Sequence, residues 1–445
     1  MSSQCEKSTG TNAIDSENEY KWESHSPKTT DEGVVGVLHP DISHTIADAD
    51  LDTLLPPDGG WKAWLCTLCG HLLFMNTWGF INSFGIFQAY YTSFLGRQPS
   101  DISWIGSVQV FLSFFVGAFI GRYIDAGHLR LVLSCGTTLV IIGIFTASFS
   151  TQYWQLLLSQ GLCCGLGNGF LVTPAVSVTS TYFARRRSLA IGIATSGSVT
   201  GGLVFSAMAR QLLPSVGFGW AMRAIGFVQA GTLLFVISVC SLYVLVLPRP
   251  LLQSPDSEVQ NFWAVFFGYY YIAPYSRDIV VPYLSYTDSL NLLLILSGVG
   301  VVGRMIPNHY ADSWGPLNLM IPTCLVAAIA MFSWISVHTP GQVYAWTVVY
   351  GIIGGSILSL FPAGISSLTT DLSTRGARIG MNFTVVSFAT LTGNPIGGAL
   401  ITAMDGSYLG AQVFMGTSFI IGAAFIMAAR VARQRKTQDG WLIKI

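Results

Sequence analysis

Apolar runs of membrane-crossing length follow one another along the chain, parted by short polar breaks. They cover 63–90, 102–124, 130–150, 154–178, 189–213 and 220–247. After a polar stretch at Pro248–Gln260 they resume at 262–283, 289–308, 317–337, 341–368, 379–403 and 408–430. A bilayer core about 30 Å thick needs roughly 20 apolar residues in a helix. Lipid offers the backbone no hydrogen bonds, so only helices and closed barrels cross it. These runs are too long and continuous for barrel strands. The pattern therefore predicts an all-α integral membrane protein with about twelve transmembrane helices. Turn and charge signals mark the breaks at Arg97–Asp101, Arg185–Arg187, Pro248–Pro250, Asp371–Arg378 and Asp405–Gly406.

Composition agrees with lipid as the solvent. Only 10% of residues are charged, against about 25% in soluble domains. The net charge is zero, which argues against nucleic acid as a partner. Residues 1–60 are polar and read as a disordered cytoplasmic tail; 431–445 read as a second tail. Lys/Arg bias orients the chain. With the N-terminus in the cytoplasm, inner loops hold Arg130, Arg185–Arg187, Arg249, Arg375 and Arg378, and the C-terminal tail holds Arg433, Arg435 and Lys436. Outer loops hold Arg97 and Arg277. Both termini are thus expected inside, with the plasma membrane as the expected location. No Gly-Lys-Ser/Thr phosphate loop is present, so no nucleotide engine and no cofactor are expected. Cys66-x-x-Cys69 lies inside an apolar run without a second pair, and reads as packing rather than metal or redox chemistry.

Weak self-similarity divides the chain. Gly121-Arg122 resembles Gly303-Arg304 at an offset of 182, and Arg187-x-x-x-x-Gly192 resembles Arg375-x-x-x-x-Gly380 at 188. Glycine pairs follow, Gly201-Gly202 and Gly397-Gly398. Repeated halves are a transporter signature. They predict an N-terminal bundle at 61–247, a short cytoplasmic linker at 248–261 and a C-terminal bundle at 262–430. By the same offset the seventh span falls short by roughly fifteen residues. Either the central linker is compact or part of that helix is missing.

Several polar residues interrupt the apolar runs. Arg304 follows Leu292–Gly303, and a charge at that depth costs about 2.5–3.5 kcal/mol or more. It either binds an anion beside a central pathway or pairs with Asp312, as Arg122 can pair with Asp125. Asn76, Asn82 and Gln88 fall near one helical face of the first span. They form either a pore-facing stripe or interhelical hydrogen bonds. His71 reads as a structural donor rather than a proton relay. Asn168 and Asn394-Pro395 sit among glycines and read as packing and flexing points. The aromatic cluster Phe262–Tyr275 either lines a cavity or faces lipid.

Two segments carry a family resemblance. Pro57-Asp58-Gly59-Gly60-Trp61-Lys62-Ala63-Trp64 resembles the entry motif of the monocarboxylate-porter family within the major facilitator group. Tyr182-Phe183-Ala184-Arg185-Arg186-Arg187-Ser188-Leu189-Ala190-Ile191-Gly192-Ile193-Ala194 resembles its second signature. Asn82–Phe87 and Gly315–Asn318 are similar to the fungal branch, and the resemblance covers about 56–435. It implies the major facilitator fold: twelve helices in two pseudo-symmetric six-helix bundles with alternating access. It also implies an arginine in span eight, matched by Arg304, and a small-carboxylate substrate moved with protons. Two departures count against lactate-type symport. Gly300 stands where the family has an aspartate, and no lysine lies near Ile81–Ser83. Fungal relatives of this kind include exporters sited beside secondary-metabolite pathways.

Together these readings predict a non-enzymatic carrier of a small organic acid or metabolite, by import or export. Arg304, Asn82, Asn76 and Gln88 would bind substrate. Arg185, Arg186, Arg187, Arg122, Asp125 and Asp312 would gate the cytoplasmic end. Asp58, Gly59, Gly60 and Trp61 would form the entry motif. The alternative from another class is a non-transporting receptor or regulator on the same scaffold.

Overall fold

A computed structural model describes residues 59–97, 99–183, 185–243, 261–368 and 375–437. All regular structure among them is helical. We number the helices α1 to α12: 60–95, 99–125, Leu129–Ala147, Tyr153–Thr181, 187–216, 218–243, Asn261–Asp278, Tyr286–Trp314, Pro316–Ser333, Pro340–Leu368, Arg375–Ala403 and Leu409–Thr437. Each expected span coincides with one helix. Nine helical stretches among the described residues are long and apolar enough to cross a membrane, and one of these, Arg187–Ser241, runs for 55 residues. It is two helices, because Gly217 (φ 79°, ψ 170°) turns the chain where a side chain would be strained.

Two helices fall outside that set for visible reasons. α1 is divided by a π turn at Met75–Gly79. The described part of α7 is 18 residues long and carries four tyrosines, Arg277 and Asp278. Its counterpart by the repeat, α1, covers 60–95. The residues that would show whether α7 is shortened at its start, 244–260, precede its first described residue. Residues 244–260, with most of the expected linker, lie outside the described residues, as do residues 1–58.

The outer surface is apolar: Phe227, Trp220, Trp314 and Ile329 are exposed. In lipid this is the ordinary state of such side chains, and tryptophans favour the membrane interfaces. Inside, glycines set the helix spacing, as expected where small residues let backbones approach. A Cβ at Gly201 would meet the Met75 carbonyl oxygen of α1 at 2.2 Å, and one at Gly355 would meet the Gly300 oxygen of α8 at 2.5 Å.

The internal repeat is visible as paired contacts. α2 crosses α11 where a Cβ at Gly380 would lie 1.9 Å from the Gly117 oxygen. α8 crosses α5 where a Cβ at Gly192 would lie 2.5 Å from the Arg304 oxygen. Gly192 and Gly380 are 188 positions apart; Gly117 and Arg304 are 187 apart. The match of Gly121-Arg122 with Gly303-Arg304 at 182 is therefore out of register. The structural counterpart of Arg304 is Gly117. The scaffold is duplicated, and the arginine is not.

Candidate functional site: a central cavity with one charge

A cavity of about 150 Å³ lies among α1, α2, α4, α5, α7, α8, α10 and α11. Nine aromatic rings line it: Phe74, Trp78 and Phe84 from α1, Phe114 from α2, Phe266, Tyr269 and Tyr270 from α7, Phe361 from α10 and Phe383 from α11. Trp78 stacks on Phe266 at 5.7 Å between centroids, with 13° between planes. Phe114 meets Phe383 at 5.2 Å. The polar wall consists of Asn82, Gln88, Thr195, Ser198, Ser297 and Arg304.

Arg304 is 3% exposed. Its Nε and Nη1 have no hydrogen-bond partner among the described residues. Nη1 sits over Gly300, where a Cβ would be only 3.0 Å away. The Tyr269 hydroxyl, also in the wall, is likewise unpartnered. One turn beyond Arg304, the Asn308 amide donates to the Arg304 carbonyl (2.7 Å) and to Ser359 Oγ (2.6 Å). That amide ties α8 to α10 at the Arg304 backbone. An unpartnered buried guanidinium is costly unless an anion completes it.

The expected pairing of Arg304 with Asp312 does not form. Asp312 instead caps α5: the N–H groups of Ser188 and Leu189 donate to its carboxylate at 2.7 and 3.0 Å. Asp125 does the same for α11, accepting from Gly376 at 2.9 Å and Ala377 at 2.7 Å. Both carboxylates thus lie at the positive ends of helix dipoles. Arg122 is exposed at this end, as are Arg185 and Arg186. Arg187 reaches across, its Nε donating to the Phe183 carbonyl (3.0 Å) and its Nη1 to the Ser366 carbonyl on α10 (3.3 Å).

The structure separates the first-span stripe. Asn82 and Gln88 line the cavity; Asn76 does not. Its amide donates to the Leu72 carbonyl (2.7 Å) and Thr232 Oγ1 on α6 (2.9 Å). Gln229 donates to its backbone oxygen at 3.1 Å. The π turn causes this, since an inserted residue rotates everything before it relative to a regular helix. His71 faces α5, with Nδ1 2.9 Å from the Ile193 carbonyl and Nε2 3.1 Å from Thr200 Oγ1. It takes no part in the cavity wall.

The entry motif lies at the start of α1. Asp58 lies outside the described residues, Gly59 and Gly60 start α1, and Trp61 is exposed. Trp64 meets Phe183 edge-on at 5.2 Å, so the two signature segments touch. Phe266, Tyr269 and Tyr270 join the cavity wall from the aromatic cluster, resolving that alternative for these three rings. Thr195, Ser198 and Ser297 gave no sequence signal, because single hydroxyls in apolar runs are common packing residues.

Comparison with known proteins bears on the family and the fold. The family model described as "Major Facilitator Superfamily" matches residues 66–348. An MFS-type transporter of Gibberella zeae is 70% identical over 443 residues, covering 97% of this chain and 99% of that protein. The MFS-type transporter dbaD of Emericella nidulans is 36% identical over 395 residues, covering 84% and 87%. The aspyridones efflux protein apdF of the same species is 32% identical over 390 residues, covering 84% and 79%. Among solved structures, the human organic anion transporter MFSD10 aligns with a TM-score of 0.67 at 12% identity, covering 83% of this chain and all of that one. The E. coli fucose:proton symporter aligns at 0.61 and 16% identity, covering 82% and 97%. Both structural likenesses show the fold alone.

Proposed function

The chain belongs to the Major Facilitator Superfamily, and from that premise we propose that it exports an aromatic or otherwise bulky organic anion, of the secondary-metabolite kind. One observation carries the reading: Arg304 is buried with two nitrogens unpartnered, in a cavity whose other described lining residues are aromatic, aliphatic or neutral polar. A carboxylate or enolate would complete the guanidinium, and the rings would cover an apolar body. Asn82 and Gln88 would bond the substrate's neutral oxygens. The efflux name of one relative favours export. The monocarboxylate-porter resemblance of the two signature segments supports an acid as substrate.

In this reading the two halves, 61–247 and 262–430, rock about the cavity. The Asp125 and Asp312 caps hold one end together. The arginine-rich loops at that end support a cytoplasmic placement and cytoplasmic termini, with the plasma membrane as the site of export. The sequence shortfall before span seven gave weight to a non-transporting receptor. Yet α7 still supplies Phe266, Tyr269 and Tyr270 to the wall, which favours a carrier. Counterflow of labelled aromatic carboxylates in proteoliposomes tests the proposal. Arg304→Ala is expected to abolish exchange of every anionic solute while expression holds. Unchanged transport in that variant would remove Arg304 from the site.

A further inference from the structure

The charge balance of the cavity reaches beyond the substrate to the transport cycle. Among the described residues, Arg304 is the one formally charged residue in the cavity wall, and none of those lining it is a carboxylate or a histidine. Its polar remainder is amide and hydroxyl. Gly300, the residue beneath Nη1, offers no side chain. Asp312, the nearest acid along α8 on its C-terminal side, is engaged at the α5 N-terminus.

Alternating access requires the cavity to shed its water on passing through a closed state. An unpaired guanidinium loses hydration at that step and gains nothing in return. With an anion bound, the pair is neutral and the penalty largely disappears. We infer that the protein is an exchanger: an anion must occupy Arg304 for the halves to interconvert, so one anion is released only as another is taken up. This rests on the anion reading of the cavity given above. The cycle moves no proton on the protein's own cavity side chains. Each half-cycle carries one anion, so exchange of equal charges leaves the membrane potential unchanged.

Conformational exchange can be read without knowing the natural substrate. Fluorescent labels at His128 and Ser313, exposed beside the two capping aspartates, report the separation of the halves in substrate-free nanodiscs. The wild type is expected to interconvert slowly, and Arg304→Gln at least tenfold faster, which is about 1.4 kcal/mol of barrier. Arg304→Lys keeps the charge and is expected to stay slow, which separates charge from packing. Gly300→Asp sets a carboxylate against Nη1 and is expected to be fast. Equal rates in the wild type, Arg304→Gln and Gly300→Asp overturn the inference.

Efflux of labelled benzoate from proteoliposomes supplies the second arm. Unlabelled benzoate outside is expected to speed wild-type efflux at least tenfold; no acceleration also overturns exchange. Benzoate binding to detergent-solubilised protein keeps the two readings apart. Binding identical in the wild type and Arg304→Gln would remove the anion site itself. Binding lost in Arg304→Gln, with equal interconversion rates, would remove the exchange inference alone.

Discussion

The Asp312 carboxylate receives the backbone N–H of Ser188 at 2.7 Å, joining the end of α8 to the start of α5. Its repeat partner, Asp125, receives that of Gly376 at 2.9 Å, joining α2 to α11. A carboxylate at a helix N-terminus is stabilised by the unpaired N–H groups and the helix dipole together. Neither bond needs a basic side chain.

Neutralising either cap should loosen this end. Asp312→Asn or Asp125→Asn is expected to cost about 1 kcal/mol, shifting the population toward opening there about fivefold. The double variant should roughly add the two, since the caps lie on separate helix pairs. The separation of labels at His128 and Ser313 measures the shift. An unchanged distribution in the double variant would show that the caps carry no conformational weight.

The glycines of the two cross-half contacts should behave differently. Gly380→Ala drives a Cβ into the Gly117 oxygen, and Gly192→Ala drives one toward the Arg304 oxygen and Asn308. Both should destabilise by about 1–3 kcal/mol through overpacking. Only Gly192→Ala should also raise KM for an anionic substrate, because it displaces the backbone that carries the guanidinium. Thermal melts and transport kinetics on the same preparations separate the effects. Equal KM changes in both variants would contradict the asymmetry of the site.

Much of this arrangement was legible in the sequence, and the exceptions have local causes. Every helix was marked by its apolar run, and the Arg187/Arg375 motifs gave the true repeat offset. The Gly121-Arg122 match misled because a glycine–arginine pair is short, whereas the register is set by aspartates eight residues after Gly117 and Arg304. Asn76 was placed with Asn82 and Gln88 by a period of 3.6, which the π turn interrupts. Arg304 stood out because a lone charge in an apolar run is rare. Its lack of an acid partner became visible only when Asp312 was found at the α5 terminus.

That difference within α1 is measurable. Asn76→Ala removes bonds to α6 and should cost about 1–2 kcal/mol of stability. Asn82→Ala lies in the cavity wall, with one bond of 3.2 Å to the Ser198 carbonyl. It should leave the melting temperature within a degree or two and change substrate affinity instead. Reversal of these two phenotypes would place Asn76, not Asn82, at the substrate.

Trp78 tests how the rings share the work. It stacks on Phe266 and also lies 4.9 Å from Phe114, so it bridges α1 to α7 as well as covering the cavity. A flat apolar substrate would enter beside these rings, exchanging ring–ring contact for ring–substrate contact. Such pairs are worth about 0.5–1.5 kcal/mol beyond their buried area. Trp78→Ala should therefore weaken binding of aromatic anions about tenfold while leaving small aliphatic anions nearly unaffected. Trp78→Phe should recover most of the loss. Competition of a graded series of carboxylates against one labelled aromatic acid gives the comparison. A uniform loss across the series would mean that Trp78 supports the fold rather than the substrate, and would move selectivity to the α7 rings.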